Sequence, residues 1–225
     1  MYIGRIMHED VITITPQASM VQAQALIEKN RIDHLLVVDR EGRLKGVLSD
    51  RDLKKYWASP ATSLSNHELS YLLEKIAVGM IMTKTVITVP PDTTIERAAH
   101  IMQTHNINSL PVMEQGELVG IITSTDVMGV LLEAIGMHED SVRIGVLVSD
   151  RIGTLAAVTK ILKDNKINIQ SLVSWPIKQY PGIYQLIMRL PGADGTTAVT
   201  ALTKKGFKVL THYVKDLSHY LPDPE

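Results

Sequence analysis

The sequence predicts a chain of mixed α+β and α/β class: two β-α-β-β-α repeats packed as a pair, followed by a ferredoxin-like β-α-β-β-α-β domain. Two observations lead to this prediction. The first half of the chain contains the same pattern twice. The rest alternates β-branched runs with amphipathic stretches in the order that defines a ferredoxin-like unit.

The repeat is visible in two pairs of stretches. "IMHEDVITITP" begins at Ile6 and aligns with "IMTKTVITVPP", which begins at Ile81, 75 residues later. "GVLSDRD" begins at Gly46 and aligns with "GIITSTD", which begins at Gly120, 74 residues later. The one-residue change falls in a turn, "DREG" against "EQG". Matches this widely spaced indicate a duplication.

Each repeat has the same order of elements. A β-branched run leads into a proline, and an amphipathic helix follows, predicted over Met20–Asn30 and Thr94–Asn106. Two strands joined by a turn that ends in Gly42 or Gly116 form a hairpin, and a last helix is predicted to start at the aspartate. One such unit of about 55 residues has a marginal core, so the pair is the expected folding unit.

A short insert separates the repeats. Residues Ala58–Ser65 read as a Ser/Pro/Thr-rich loop, and Ser65 with Glu68 forms a capping box that opens a helix ending near Ile76. The predicted domains are therefore a first repeat, a linker helix, a second repeat, a ferredoxin-like domain and a tail, over residues 1–60, 61–78, 79–137, 141–217 and 218–225.

Composition excludes several classes of function. There is no cysteine, which removes disulfides, thiolate catalysis and cysteine metal sites. The net charge is −1, divided into −4 for residues 1–137 and +3 for the rest, so neither part predicts binding to nucleic acid. No apolar run approaches the roughly 20 residues of a membrane helix, and the N-terminus does not resemble a signal peptide. A cytoplasmic location is expected.

No motif for catalysis or metal binding is present. The sequence contains no G-x-S-x-G, Walker or G-x-G-x-x-G pattern. Its eight histidines do not form the H-x-x-x-H spacing, and "MHED", which occurs twice, reads as a polar junction in each case. A protein without catalytic activity and without a metal is predicted.

The repeated unit resembles the CBS domain. The resemblance is carried by "VITITP" and "VITVPP", by "LPVM" at Leu110–Met113, and by the G-h-h-[ST]-x-x-D motif at Gly46–Asp52 and Gly120–Asp126. A tandem pair resembles the Bateman module, which implies a regulatory unit that binds adenosine-type ligands in clefts between its halves. The first repeat departs from the pattern at Leu36, where a proline is usual; its strand should remain intact.

The C-terminal unit resembles an ACT domain, an amino-acid-sensing fold, through "DRIGTLAAVTKILKDNKINI" at Asp150–Ile169. The whole arrangement resembles the acetoin utilization protein AcuB group, which implies a role in acetoin or related carbon catabolism.

The repeats supply candidate groups for a nucleoside ligand. The carboxylates of Asp52 and Asp126 suit a vicinal diol, and the hydroxyls of Ser49 and Thr123 with helix N-terminal N–H groups suit phosphate. The first copy adds Arg51, where the second has Thr125 and no cation nearby. The backbone of Thr13 and Thr88 is assigned to the adenine edge, and the strands containing Leu35, Leu110 and Pro111 to the walls around the base.

The expected ligand is therefore AMP, ADP or ATP, ahead of S-adenosylmethionine or NAD, with one cleft preferring a charged nucleotide. Two alternatives remain open. Aspartate or serine at a strand–helix corner is also an ordinary N-cap that needs no ligand. The chain could equally be a structural adaptor with vestigial clefts. As a sensor its expected partners are a nucleotide and an unknown regulated protein; as an adaptor its partner is the protein alone.

In the ACT-like unit, Gly153 and Thr154 place a helix N-terminus where a ligand carboxylate could bind, with Asp150 before it and Asn168 as a partner for an amino group. The alternative is that these are turn residues and that the domain serves to pair subunits into a homodimer.

Overall fold

A computed structural model describes residues 1–56, 66–137 and 140–223. The chain divides into two compact units, Met1–Met128 and Gly129–Glu225. The predicted loop Ala58–Ser65, with its N-cap Ser65, lies outside the described residues, as do two residues of the second "MHED".

The first unit contains both repeats. The first repeat consists of β1 (Thr13–Ile14), α1 (Met20–Asn30), β2 (His34–Val38), β3 (Leu44–Ser49) and α2 (Asp50–Tyr56). After the insert helix α3 (Asn66–Glu74) and a short helix α4 (Val78–Ile81) come α5 (Ile95–His105), β4 (Ser109–Glu114), β5 (Glu117–Thr123) and α6 (Ser124–Ala134), which runs across the division. The sequence did not predict α4.

The two sheets differ in one strand. β1 runs parallel to β2, and β2 is antiparallel to β3. In the second repeat β4 and β5 pair in the same way, but the predicted strand "VITV" is reduced to a single parallel bridge between Val89 and Val112. The N–H of Leu36 donates to the oxygen of Ile12, whereas Pro111 at the equivalent position has no N–H to donate. The proline therefore removes one ladder bond, which Leu36 keeps.

The long helix of each repeat ends where its sequence predicts. Ser19 caps α1 in a capping box with Gln22, and Thr94 accepts a hydrogen bond from the N–H of Arg97 to cap α5. Both helices terminate on a left-handed residue, Arg31 or Asn106. The apolar stripe of α1 then faces a core made of Ile14, Met20, Ala23, Ile27, Leu35, Val37, Leu48, Leu53, Leu73 and Val78.

The segment that precedes each repeat in the sequence lies against the other repeat. We call residues 1–8 the first leading segment and residues 76–83 the second. In the first, the N–H of Gly4 donates to the oxygen of Pro91 over 2.9 Å. In the second, the N–H of Gly79 donates to the oxygen of Pro16 over 2.8 Å. The bonds are related by the sequence repeat, so the exchange is reciprocal.

The same exchange continues at the third strand of each repeat. His8 and Ile121 exchange two backbone hydrogen bonds of 2.9 and 3.0 Å, and Thr83 and Val47 exchange two of 2.9 and 3.0 Å. A Cβ on Gly120 would lie 2.7 Å from Met7 Sδ and 3.0 Å from the His8 oxygen. The glycine that opens each G-h-h-[ST]-x-x-D motif is therefore the place where the other repeat's leading segment lies against the strand.

Gly46 has the matching environment: its Cβ would lie 2.6 Å from Met82 Sδ and 2.8 Å from the Thr83 oxygen. These contacts involve backbone as well as a flexible side chain, so a methyl group could not be admitted by a rotamer change alone.

The second unit has the predicted ferredoxin-like order. Its elements are β6 (Ser141–Ser149), α7 (Thr154–Asp164), β7 (Ser171–Pro176), β8 (Ile183–Pro191), α8 (Gly195–Lys204) and β9 (Val209–Leu210). The sheet order is β7-β8-β6-β9, with every pair antiparallel. Its core consists of Ile144, Val146, Val148, Val158, Leu162, Ile167, Leu186, Met188, Leu190, Ala198 and Leu202. The last strand is shorter than the predicted "FKVLTHYV", and Lys208 Nζ donates to the Leu221 oxygen in the tail over 2.9 Å.

We predict that Gly120→Ala and Gly46→Ala each destabilise the first unit by about 1–3 kcal/mol, because the added methyl displaces the leading segment. Urea unfolding measures the effect. Gly129→Ala in α6 is the matched control: among the described atoms a Cβ there meets nothing within 4 Å, so it should be neutral or stabilising by up to about 1 kcal/mol. Equal effects at all three glycines would contradict the packing argument.

Candidate functional site

The strand–helix corner at the end of β3, which we call the first corner, is built from Ser49, Arg51 and Asp52. Ser49 Oγ accepts from the N–H of Asp52 over 3.2 Å, and the N–H of Ser49 donates to Asp52 Oδ2 over 3.1 Å. The Ser49 hydroxyl also donates to Asp52 Oδ2 over 2.7 Å. This is a capping box with serine at the N-cap and aspartate at the third helical position.

The second corner, at the end of β5, has the same geometry. The N–H and hydroxyl of Thr123 donate to Asp126 Oδ2 over 2.8 and 2.7 Å, and Thr123 Oγ1 accepts from the N–H of Asp126 over 3.3 Å. The helices begin at Asp50 and Ser124. The prediction that they start at the last residue of the motif, Asp52 or Asp126, is therefore wrong by two residues. The hydroxyl is the cap, and the aspartate closes the box.

The capping box leaves the other carboxylate oxygen outside the backbone network. Asp52 Oδ1 accepts from Lys55 Nζ over 3.0 Å, and Asp126 Oδ1 lies 3.0 Å from His8 Nε2. The two aspartate side chains are 20% and 19% exposed, so Oδ1 in each faces a partly solvated surface. Each corner therefore presents one acceptor oxygen paired to a basic side chain.

The second corner has a basic side chain nearby, His8, which the sequence did not predict. His8 belongs to the first leading segment, 118 residues away in sequence, and reaches Asp126 because the leading segments are exchanged. The contact follows from the exchange of leading segments, because His8 pairs with the strand that leads to Asp126. The sequence repeat by itself does not reveal that exchange.

Both carboxylates are held in the ionised form. Burial, the largest single influence, pushes the pKa of Asp52 up, but the hydrogen bonds from Ser49 and Lys55 together hold it below its ordinary value. Burial likewise raises the pKa of Asp126, and the hydrogen bonds from Thr123 and His8 together lower it further than burial raises it. The acceptor oxygen is thus charged at neutral pH.

The first corner also has more basic side chains of its own. His34 lies opposite Ser49 in the β2–β3 ladder. Burial lowers the pKa of His34, while the charges of Asp33 and Asp52 raise it and that of Arg51 lowers it. Arg51 itself is exposed. In the second repeat the equivalent of His34 is Ser109, which is buried.

The other residues predicted for the nucleoside lie elsewhere on the strands. Thr13 is exposed in β1, and Thr88 is exposed outside any strand. Leu35 and Leu110 are fully buried, and Pro111 is buried beside Leu110. The structure therefore brings together the hydroxyl, the carboxylate and a base at each corner, with Thr125 exposed beside Asp126, while the predicted wall residues have their side chains in the protein interior.

The residues predicted for an amino-acid site in the second unit lie at opposite ends of α7. Gly153, with φ of 90°, precedes Thr154 at the start of α7, and Asp150 is bonded through its N–H to Gly182. Asn168 is exposed beyond the other end of α7. An 11-residue helix is about 16 Å long, so one chain does not bring Gly153 and Asn168 together.

Over the described parts of the chain, His, Asp and Glu side chains form no group of three able to hold a metal ion. Across those same residues, none of the helices combines the length and apolar character needed to cross a bilayer.

Comparison with known proteins agrees with this architecture. The CBS domain model matches residues 3–59 and 78–133, and the ACT domain model matches residues 142–205. The chain belongs to the CBS-domain family, as a tandem CBS pair followed by an ACT domain.

Individual relatives cover mainly the CBS pair. A CBS domain-containing protein of Dictyostelium discoideum is 29% identical over 134 residues, 59% of this chain and 92% of that protein. Other curated relatives are longer, and the chain spans 31%, 28% and 24% of three of them.

Two solved structures complete the comparison. One, described as an acetoin utilization protein (AcuB) from Vibrio cholerae, is 29% identical, with 62% of this chain and 98% of that chain covered and a TM-score of 0.50. The other is the CBS domain pair of protein MJ0100 in complex with 5'-methylthioadenosine and S-adenosyl-L-methionine; it is 27% identical, with 58% and 95% covered and a TM-score of 0.48.

The capping carboxylates predict a pH dependence. Because the folded-state pKa of Asp126 is below its unfolded value of about 3.9, its ionised form stabilises the fold above that pH, and this contribution is lost as the pH falls through the folded pKa. Asp126→Asn should therefore lower Tm at pH 7, and the difference from the wild type should shrink as the pH falls below about 4.

Thermal unfolding followed by circular dichroism measures this difference. Asp52→Asn should behave in the same way, since its corner has the same hydrogen bonds and the same direction of pKa shift. A Tm difference that is constant down to pH 2.5 would contradict the assignment.

Proposed function

We propose that the chain is a regulatory protein that binds adenine nucleotides at its two corners. The observation that carries the proposal is the duplicated carboxylate: Oδ2 of Asp52 and Asp126 is used by the fold, while Oδ1 faces a partly solvated surface beside a basic group. Membership of the CBS-domain family supports the same ligand class.

The chemistry of the corner fits a ribose. A vicinal diol has two O–H donors, and an ionised carboxylate whose position is fixed by a capping box is a strong, correctly oriented acceptor for them. The neighbouring helix N-terminus adds a positive dipole end suited to phosphate oxygens. The hydroxyl of Ser49 or Thr123 already donates to the aspartate, so its part is to orient the carboxylate.

The two corners are proposed to prefer different ligands. The first has Arg51 and Lys55 within its own repeat, and these can neutralise the charge of AMP, ADP or ATP, whereas burial lowers the pKa of His34 so that its imidazole is a neutral hydrogen-bonding group. The second has Thr125, Gly129 and Ser109 at those positions. We therefore assign the charged nucleotide to the first corner and a less charged adenosine compound to the second.

Isothermal titration with AMP, ATP and adenosine tests this assignment. Asp52→Asn should weaken binding at the first corner at least tenfold, because the outward acceptor becomes an amide while the inward oxygen can still cap the helix. Asp126→Asn should do the same at the second corner. Arg51→Gln should weaken AMP and ATP at the first corner while leaving adenosine within about twofold.

The matched control is Thr125→Gln, which places the same side chain at the equivalent position of the second corner and should leave the first corner unchanged. Two equal corners that do not distinguish AMP from adenosine would contradict the assignment of different ligands. Absence of heat and of ligand-induced stabilisation with all three compounds would instead favour the structural adaptor.

For the ACT domain we propose that it pairs two chains into a homodimer. β7 is an outer strand of its sheet, and outer strands are natural sites for pairing with another chain. Trp175 at the end of β7 is 59% exposed, although a large aromatic side chain is normally covered. A surface of this kind fits a second copy of the same edge.

Sedimentation velocity tests this pairing. The wild type should be a dimer at micromolar concentration, and Trp175→Glu should shift it toward monomer by at least tenfold in Kd, because a charge is placed in the contact. Tyr213→Glu, which changes another exposed aromatic residue outside β7, is the control and should leave the dimer intact. A monomeric wild type would rule out the proposal.

The likeness to the Vibrio cholerae protein supports a proposed role in acetoin or related carbon catabolism, in the cytoplasm, through an as yet unidentified regulated protein. Amino-acid sensing by the ACT domain remains part of the proposal only as a site shared between two chains, because α7 separates Gly153 from Asn168 within one chain.

A further inference from the structure

His8 holds a position at the second corner that its backbone determines. Its N–H and C=O are both bonded to Ile121, over 2.9 and 3.0 Å, and the preceding Met7 packs against Gly120. The imidazole is 63% exposed, yet its Nε2 lies 3.0 Å from Asp126 Oδ1. The ring can leave Asp126 only by rotating about its own two side-chain torsions, since the backbone on either side of it is fixed.

At the first corner a different kind of side chain contacts the outward oxygen of the aspartate. Thr83 holds the backbone position equivalent to His8, paired to Val47, and the base on Asp52 Oδ1 is instead Lys55 from the same helix. Lys55 is 71% exposed on a flexible four-carbon stem, so it can move aside and still keep its charge close to a bound ligand. His8 has only two side-chain torsions on a backbone held by Ile121, so its ring moves over a shorter range.

Asp126 has only one oxygen to offer. Oδ2 already accepts two hydrogen bonds, from the N–H and the hydroxyl of Thr123, so a diol that binds this carboxylate through both of its O–H groups needs both lone pairs of Oδ1, where His8 lies. His8 and the ligand therefore compete for the same oxygen.

We propose that His8 is a latch that occupies the ligand acceptor of the second corner, so that a ligand binds there only by displacing a side chain that belongs to the other repeat. This inference rests on the proposed function, because the competing ligand is the adenosine compound assigned to that corner. The latch sets the affinity of the second corner and links its occupancy to the docking of the first leading segment.

The test uses the full chain carrying Asp52→Asn, which leaves the second corner as the measured one. Isothermal titration with adenosine and with AMP is compared for His8, His8→Ala and His8→Gln. Since an exposed contact between a basic side chain and a carboxylate corresponds to an effect of up to about fivefold, His8→Ala should lower Kd for both ligands by about two- to fivefold. His8→Gln, whose amide can still donate to Oδ1, should stay closer to the parent.

The outcome distinguishes the latch from a supporting role. If His8→Ala weakens binding, or weakens AMP more than adenosine, His8 assists phosphate binding and the latch is excluded. An unchanged Kd also overturns it, as does a corner that binds neither compound with or without His8. Thr83→Ala in an Asp126→Asn chain is the matched control and should leave the first corner within about 1.5-fold.

A ligand-free measurement separates failure of the latch from failure of nucleotide binding. The Tm values of the wild type, His8→Ala, Asp126→Asn and the double variant form a mutant cycle. The latch requires that His8→Ala lower Tm less in the Asp126→Asn chain than in the wild type, whatever the ligand is. Additive changes would show that the two side chains do not interact, and the latch would then be abandoned even if both corners bind nucleotide.

Discussion

The packing of each leading segment against the glycine of the other repeat's third strand determines how the CBS pair is assembled. A side chain at Gly46 or Gly120 would collide with a methionine and a backbone oxygen of the other repeat, so a glycine is the residue that admits the exchanged segment. The first repeat is not complete without the second leading segment, because Val78 of that segment belongs to its core. The third strand that carries this contact ends in the hydroxyl residue of the corner. The pairing of the repeats and the position of both corners therefore depend on one close backbone approach.

At each corner the helix cap and the proposed ligand contact use different oxygens of one carboxylate. The hydrogen bonds that cap the helix converge on Oδ2, fix the rotamer of the aspartate and offset the effect of burial on its pKa. The same fixed rotamer directs Oδ1 toward the surface, where a ligand could use it. The two interpretations of the motif, helix cap and binding group, are thus complementary: a capping box supplies an oriented, ionised acceptor, and such preorganisation reduces the cost of binding.

Much of the fold could be predicted from the sequence, because it depends on patterns among residues that are close along the chain. The helix of each repeat, the hairpins, the duplication and the order of the ACT domain follow from periodicity, caps and turn residues close in sequence. Three features could not be predicted this way. The exchange of leading segments is a tertiary arrangement that the repeat alone leaves undetermined. The contact between His8 and Asp126 depends on that exchange. The shortened strand around Val89 results from a missing N–H at Pro111, whose effect appears only once the parallel partner is known.

The difference between the corners lies less in how many basic side chains each has than in which part of the chain supplies them. Lys55 is on the same helix as Asp52, so exchanging it for a ligand alters only local contacts. His8 is on a segment docked across the repeats, so any ligand that displaces it changes the free energy of that docking, and by linkage a change in docking alters the affinity for ligand by the same factor. A duplicated site can thus acquire two roles without a change of fold. Under the proposed function, the first corner binds its ligand independently, whereas occupancy of the second is thermodynamically coupled to the packing that holds the pair together.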